Sequence, residues 1–346
     1  MKNNTALGLG YLQLVLSEYR FKQQGYSYWI FSLLLLFGSS VQTEAAGKTP
    51  NEVYSGIEYA NRLIDRLLFE EKQIEGTQAP LSREKAAKPM HVYELHVSAL
   101  AELYSYALAN NRRPPPLAVS TPIPYTPTDV YYLTEMVVEN LESIYTDSLG
   151  GIDFFPDNHS GKTPGEVYQV LFELYYKLNL LNGKSKISPN EVFAHAQRAK
   201  EDLQYSLLTI SKRLPDAQEE KKRMLVTAIY GMHPNGSTLA KAAEGRKPLD
   251  VINKAFDVRK KLNQLRLKNK LGEIQIPSVS DYGSVKPIDV FLQTQFIIAE
   301  LNLLKSPLDI TSTTNAAKPV TGRTPTDVYQ EMAHIEYMLG RLHSVL

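Results

Sequence analysis

The sequence predicts an all-α protein built as two tandem, homologous four-helix units joined internally by long proline-rich linkers. Three observations support this fold class. One helix-start motif occurs eight times, an apolar stripe with helical spacing follows each copy, and the spacing of the first four copies is repeated by the last four. One continuous helical-repeat superhelix is the alternative organisation that the same repeats allow.

The repeated motif reads Thr/Ser/Lys-Pro-x-acid-Val, usually followed by an aromatic residue, as in residues 163–168 (TPGEVY). Thr or Ser accepts a hydrogen bond from a free N–H of the first turn, and the acid reaches back to the cap. Proline fits the first helical position because it has no N–H to leave unpaired. His91 replaces the acid once and Lys replaces the cap three times, so those starts are expected to be weaker. The motif valines are Val53, Val92, Val130, Val167, Val192, Val251, Val290 and Val328.

Each motif is followed by a stripe of apolar residues at the spacing of packed helices. Counting the motif valine as zero, positions 4, 7, 11 and 14 are mostly apolar. The first stripe consists of Val53, Ile57, Ala60, Ile64 and Leu67. This alternation of four and three residues predicts helices and is not the period of strands.

The spacing of the motifs predicts a duplication. The second, third and fourth motif valines recur in the last three copies at offsets of 159, 160 and 161 residues, and the sequence PNEV occurs at residues 50–53 and 189–192. We therefore predict two homologous units, residues 48–183 and 186–346, with a helical insert at about residues 214–238 of the second. The insert is either a specialised contact surface or a tolerated loop insertion.

The linkers within each unit hold about 15–20 residues, whereas ordinary bundle loops hold about 2–8. Extended chain covers about 3.3 Å per residue, so each linker is long enough to travel back along its helix. Neighbouring helices could then be parallel, and the sequence leaves their directions open. The junction at residues 182–187 is short and predicts a tight antiparallel turn between the units.

Residues 1–45 are predicted to form a signal peptide or an uncleaved signal anchor. The apolar run at residues 28–37 (YWIFSLLLLF) follows Arg20 and Lys22, and cleavage after Ala45 fits the small residues that end the segment. The run is shorter than the about 20 apolar residues that a membrane span needs. The expected location is therefore periplasmic or secreted.

The composition excludes several classes of function. The chain has no cysteine, which rules out disulfides and thiolate chemistry. Its formal net charge of +1 gives no global attraction to nucleic acid, and membrane contact is expected only through an uncleaved N-terminal anchor. The sequence contains no P-loop, no dinucleotide fingerprint and no nucleophile-elbow or zincin motif. We therefore expect neither an enzyme nor a bound cofactor.

A few side chains remain as candidates for binding. Glu331 and His334 form one Glu-x-x-His pair, the spacing used in di-iron bundles, but those sites need two such pairs. His96 lies at stripe position 4. It is interpreted either as a core histidine or as a ligand contact or pH-sensitive group. Five motif tyrosines either cover the linkers or line an aromatic groove. These tyrosines are Tyr54, Tyr93, Tyr131, Tyr168 and Tyr329.

The sequence predicts an exported, non-enzymatic helical protein that binds a ligand or partners a sensor, with the ligand unknown. A groove between the helices and the proline-rich linkers is the expected binding surface. An extracytoplasmic structural or assembly scaffold that mediates protein–protein contacts is the alternative. The partner is accordingly a small ligand or another protein.

Overall fold

A computed structural model of the chain describes residues 47–184, 186–233 and 235–346. The predicted signal segment at residues 1–45 lies outside this part. Within these ranges the chain forms nine α-helices and no strand, which confirms the predicted all-α class, and none of the helices is long and apolar enough to cross a membrane. The helices are α1 (Pro50–Lys72), α2 (Pro89–Ala109), α3 (Pro127–Leu149), α4 (Pro164–Leu181), α5 (Pro189–Arg213), α6 (Glu219–Ile229), α7 (Pro248–Lys268), α8 (Pro287–Lys305) and α9 (Pro325–Val345).

Every motif copy starts a helix at its proline, as predicted. The Thr163 hydroxyl accepts a hydrogen bond from the N–H of Glu166 at 3.3 Å, and the Glu166 carboxylate accepts one from the N–H of Thr163 at 2.9 Å. Helices with a lysine cap keep only the second bond, because an ammonium group cannot accept. At α7, for example, the Asp250 carboxylate accepts from the N–H of Lys247 at 2.8 Å.

Helices α1–α4 form a bundle in which all four helices run in the same direction. α1 contacts α3 and α4, and α2 contacts the same two helices, so α1 and α2 lie diagonally opposite. The motif prolines and valines of all four helices line one apolar space of about 10 Å³. These residues begin their helices, so the four N-termini meet at one end. A space of this size holds at most about one water molecule, which means that this end of the bundle is filled.

Three of the linkers, and the segment before α1, are fastened to a neighbouring helix just before the next helix begins. The N–H of Lys162 donates to Asn51 Oδ1 at 2.8 Å, and the N–H of Arg323 donates to Asn190 Oδ1 at 2.7 Å. The Lys162 ammonium also lies 4.0 Å from the ring centroid of Tyr54. These two contacts hold parallel neighbours in register. Two further basic residues make the same two kinds of contact. The N–H of Lys48 donates to the Thr128 hydroxyl while its ammonium covers the Tyr131 ring, and the N–H of Arg246 donates to the Thr326 hydroxyl while its guanidinium covers the Tyr329 ring.

Helices α5, α7, α8 and α9 form a second bundle with the same pattern of neighbours and a similar proline-valine end. The bundles meet mainly through α2 and α8, which run antiparallel: His91 bonds to Glu300, and Ser98 bonds to Gln295. Residues 47–346 make one compact body with a shared apolar core. The division into two homologous units stays a prediction.

The insert adds a short helix, α6, to the outside of the second bundle, where it contacts α5 and α9. Polar residues of α9 hold it in place. His334 Nε2 donates to the carbonyl oxygen of Ala228 at 2.8 Å, and the Tyr337 hydroxyl donates to that of Met232 at 2.9 Å. The Glu-x-x-His pair of the sequence thus includes a residue that anchors the insert.

Candidate functional site

The helices that join the bundles, α2 and α8, are apolar on nearly all sides. A helix without a polar face has to be buried all round. Their few polar side chains therefore lie inside the protein, where each needs a partner. Gln293, Gln295, Glu300 and Lys305 of α8 are all buried.

One buried group at this junction is centred on Glu300. His91 Nδ1 accepts the N–H of Lys88 at 2.9 Å, so its Nε2–H donates to Glu300 at 2.9 Å, and Arg266 donates to the other carboxylate oxygen at 2.5 Å. Burial lowers the pKa of His91, which keeps the ring neutral. Burial alone would raise the pKa of Glu300, but the His91 hydrogen bond and the Arg266 charge hold it below its usual range. The replacement of the motif acid by His91 therefore serves the junction.

A second buried group leads from the junction to a groove. The Glu94 carboxylate of α2 pairs with Arg198 of α5 and accepts a hydrogen bond from the Ser120 hydroxyl. The backbones of Ser120 and Thr314 are paired, with Thr314 N–H donating to Ser120 O at 2.8 Å. These contacts hold α5 and the linker at residues 306–324 against the first bundle. The groove lies between α5 and this linker.

The groove has a volume of about 410 Å³, within the range of about 300–1,000 Å³ that small-molecule sites occupy. Its helical wall includes Arg198, Asp202 and Tyr205, which share one face of α5 because they are spaced by four and three residues. Its other wall is the linker, with hydroxyl and amide side chains. The lining residues are Ala194, Gln197, Arg198, Glu201, Asp202, Tyr205, Ser312, Thr313, Thr314, Asn315, Ala316 and Lys318.

Three buried polar atoms in the walls of this groove have no hydrogen-bond partner among the described residues: Arg198 Nε, Asp202 Oδ2 and Ser312 Oγ. Arg198 is 6% exposed, and the Asp202 side chain is 8% exposed. Burying an unpaired polar atom costs about 1–3 kcal/mol. Three such atoms in one groove therefore indicate a place where a ligand or water supplies the missing bonds.

The charged atoms of the groove are held by neighbours on the inner side. Lys305 Nζ lies 2.5 Å from Asp202 Oδ1 and donates to Thr314 Oγ1 at 2.8 Å. Burial raises the pKa of Asp202 and lowers that of Lys305, and the attraction between the two charges offsets part of each shift. The groove thus presents a fixed donor, a fixed acceptor and a hydroxyl.

In the first bundle an aromatic cluster lies between α1, α3 and the linker that follows α3. There the linker between α3 and α4 inserts Phe154 between Tyr59 and Tyr145, with ring centroids 5.5 Å and 6.1 Å away. The Arg66 guanidinium covers the Phe154 ring at 4.6 Å. This aromatic cluster fills part of the space between α1, α3 and their linker, and an opening of about 930 Å³ lies beside Arg66 and Tyr145 towards the C-terminal ends of α1 and α3.

Alignment of the motif valines relates this aromatic cluster to the groove of the second bundle. Tyr59 corresponds to Arg198, Leu63 to Asp202, Tyr145 to Lys305, and Phe154 to Thr314 or Asn315. The aligned positions of the second half carry charged and polar residues, and Arg198, Asp202, Thr314 and Asn315 among them line the groove.

The predicted tyrosines lie at the N-terminal ends of the bundles, away from the set of residues that line the groove. Tyr54, Tyr131 and Tyr329 lie under basic side chains of the segments that precede helices. Tyr93 stacks on Tyr125 with ring centroids 3.7 Å apart. The structure does not bring these tyrosines together. The fifth, Tyr168, is completely buried 5.2 Å from the Phe296 ring centroid.

His96 lies in the core of the first bundle and is completely buried. Its Nδ1–H donates to the carbonyl oxygen of Val92 at 3.0 Å, and Nε2 accepts from the Thr134 hydroxyl at 3.0 Å. Burial lowers the pKa of His96 to about 4, so the ring is neutral at physiological pH. Both ring nitrogens are satisfied within the core.

Glu331 and His334 are both engaged with other residues. The Glu331 carboxylate is 2.6 Å from the ammonium group of Lys200, while His334 holds the insert. In the described part of the chain, no group of three or more potential metal-binding side chains comes together.

Sequence reasoning alone does not identify Arg198, Asp202 and Ser312. Two signals in the sequence pointed to Arg198 and Asp202. They belong to a row of polar residues beside the apolar stripe of α5, and the aligned positions of the first half carry Tyr59 and Leu63 instead. The linker position has no comparable signal. Ser312 becomes significant only when the linker is laid along α5.

No protein-family model, curated protein or solved structure matches the chain.

Proposed function

We propose that this protein is an exported, non-enzymatic binding protein whose ligand occupies the groove between α5 and the linker at residues 306–324. One observation carries the proposal: the walls of this groove hold three buried polar atoms that have no hydrogen-bond partner in the described part of the chain. The aligned positions of the first half belong to an aromatic cluster instead. A small polar ligand would supply the missing hydrogen bonds of these three atoms.

The fixed charges favour binding over catalysis. Arg198 is held by Glu94, and Asp202 is held by Lys305. A group held in a buried ion pair is poorly suited to exchange protons during a reaction, because the exchange leaves its partner as an uncompensated charge. Such groups are well suited to orient a ligand. Export is supported by the signal-like sequence of residues 1–45, and the lack of cysteine is compatible with an oxidising compartment.

A thermal-shift screen with a library of small polar metabolites tests the proposed role. A ligand at about 100 times its dissociation constant stabilises the folded state by about 2.7 kcal/mol, which raises the melting temperature measurably. The variant Asn315→Phe places a ring in the groove, as Phe154 does in the first bundle. Asn158→Phe, at an exposed linker position of the first bundle, is the matched control.

Stabilisation of the wild type and of Asn158→Phe, but not of Asn315→Phe, is the expected result. If Asn315→Phe responds as strongly as the wild type, the ligand binds elsewhere and the assignment of the groove is wrong. If no compound in the library stabilises the wild type, the binding role itself is contradicted, and the scaffold alternative becomes the better explanation.

A further inference from the structure

We infer that the groove accepts a neutral, hydroxyl-rich ligand of the size of one or two sugar rings. This inference rests on the proposed binding role and specifies the chemistry of the ligand. Charge, hydrogen-bonding capacity and shape support it separately.

The charge of the groove is already balanced before a ligand enters. Arg198 is neutralised by Glu94, and Asp202 is neutralised by Lys305. At the rim, Glu201 and Lys318 contribute one charge of each sign. A charged ligand would bring an additional charge next to pairs that are already compensated, and burying such a charge is unfavourable. A neutral ligand avoids this penalty.

The three unpartnered atoms need different kinds of hydrogen bond. Arg198 Nε–H can only donate, the ionised Asp202 Oδ2 can only accept, and Ser312 Oγ can do both. A hydroxyl group both donates and accepts, so a ligand with several hydroxyls can satisfy all three atoms. A carboxylate only accepts and an ammonium group only donates, so neither can satisfy the whole set.

The shape of the groove suits a small ring or two rings in line. The lining residues of α5 run from Ala194 to Tyr205, a length of about 16 Å at 1.5 Å per residue. Tyr205 is 54% exposed at one end of this row. A tyrosine ring with one open face can cover the C–H face of a sugar while its hydroxyl remains in water.

Saturation-transfer NMR on the exported chain tests the inference with probes of matched shape and different charge. Glucose and N-acetylglucosamine supply neutral rings, glucuronate an anionic ring and glucosamine a cationic ring, while cellobiose and maltose supply neutral pairs of rings. At least one neutral probe should bind at millimolar concentration, and each charged ring should bind about tenfold more weakly than that probe or not at all.

Two pairs of variants connect binding to the groove. Tyr205→Ala should weaken binding of the neutral probe about tenfold, whereas Tyr132→Ala, at another exposed tyrosine on α3, should leave it unchanged. Ser312→Ala should weaken the probe about three- to tenfold through one lost hydrogen bond. Ser344→Ala, at an exposed serine of α9, is its control.

The outcomes separate the two levels of inference. If a charged ring or a non-carbohydrate compound from the metabolite screen binds in the groove and the neutral sugars do not, the ligand class is overturned while the binding role remains. If Tyr205→Ala and Ser312→Ala both bind a neutral sugar as tightly as the wild type does, the groove assignment is overturned. If neither the sugars nor the metabolite library bind, both levels are wrong.

Discussion

Acidification should destabilise the first bundle through His96. The ring is completely buried, and its pKa in the folded protein is lowered to about 4. In the unfolded chain a histidine titrates near about 6.5. Between about pH 6.5 and about pH 4, His96 is protonated in the unfolded chain and neutral in the folded protein. The contribution of neutral His96 to stability is therefore fully present above about pH 6.5 and is lost as the pH falls towards about 4.

The magnitude follows from the difference between the two pKa values. Lowering the pKa of His96 from 6.5 to about 4 corresponds to about 3 kcal/mol over the whole range, because a tenfold change in an equilibrium constant is worth about 1.4 kcal/mol. From about pH 7 to pH 5, protonation of the unfolded state alone lowers the free energy of unfolding by about 2 kcal/mol. Marginal stability makes a change of this size easy to measure.

Urea denaturation at a series of pH values, on the wild type and on His96→Ala, is the assay. The second bundle has Ala255 at the corresponding position, and there Thr294 donates to the carbonyl oxygen of Val290 at 2.9 Å. Thr134 can do the same after the substitution. His96→Ala should have a lower stability at neutral pH because of the cavity it leaves, but should lose about 2 kcal/mol less on acidification. Equal losses in both proteins would refute the reasoning.

Three further predictions concern the caps, the junction and the N-terminus. Thr163→Ala and Thr324→Ala should each lower the free energy of unfolding by about 1 kcal/mol, since each removes one cap bond, and denaturant titrations indistinguishable from wild type would contradict the cap. Arg266→Met should cost about 3–5 kcal/mol because it leaves the Glu300 carboxylate buried without its cation; a loss below about 1 kcal/mol in the same titration would show that His91 suffices. The exported protein should begin near Ala46 by intact mass spectrometry, and soluble cytoplasmic protein that retains residues 1–45 would argue against export.

Local physics explains why the helices were predictable and their directions were not. The cap, the proline and the acid of the motif act within one turn, so they mark a helix start in any context. The apolar stripe identifies the buried face, but the same spacing serves parallel and antiparallel neighbours alike. Contacts between residues far apart in the sequence settle the direction. Lys162 and Asn51, for example, are 111 residues apart.

The candidate site was harder to predict because it depends on what the linkers cover. Two signals of the junction between the bundles were present in the sequence. Helices α2 and α8 are apolar on nearly all sides, and one motif copy has a histidine in place of the acid. The groove required knowledge of which linker lies along α5. Phe154 and Asn315 lie at related positions of the sequence, but only the folded linkers show that Phe154 joins an aromatic cluster and that Asn315 borders the groove.

The opposite orientation of the two bundles has an electrostatic consequence. Each peptide unit carries a dipole along its helix, equivalent to about half a positive charge at the N-terminus and half a negative charge at the C-terminus. Four parallel helices therefore place about two charges of one sign at each end of a bundle, and parallel dipoles repel. Seven of the eight motif copies put a carboxylate at the positive end. Because α2 and α8 run in opposite directions, the positive end of one bundle lies beside the negative end of the other. The two bundle dipoles therefore lie side by side in opposite directions and largely cancel, whereas a single bundle would keep its net dipole.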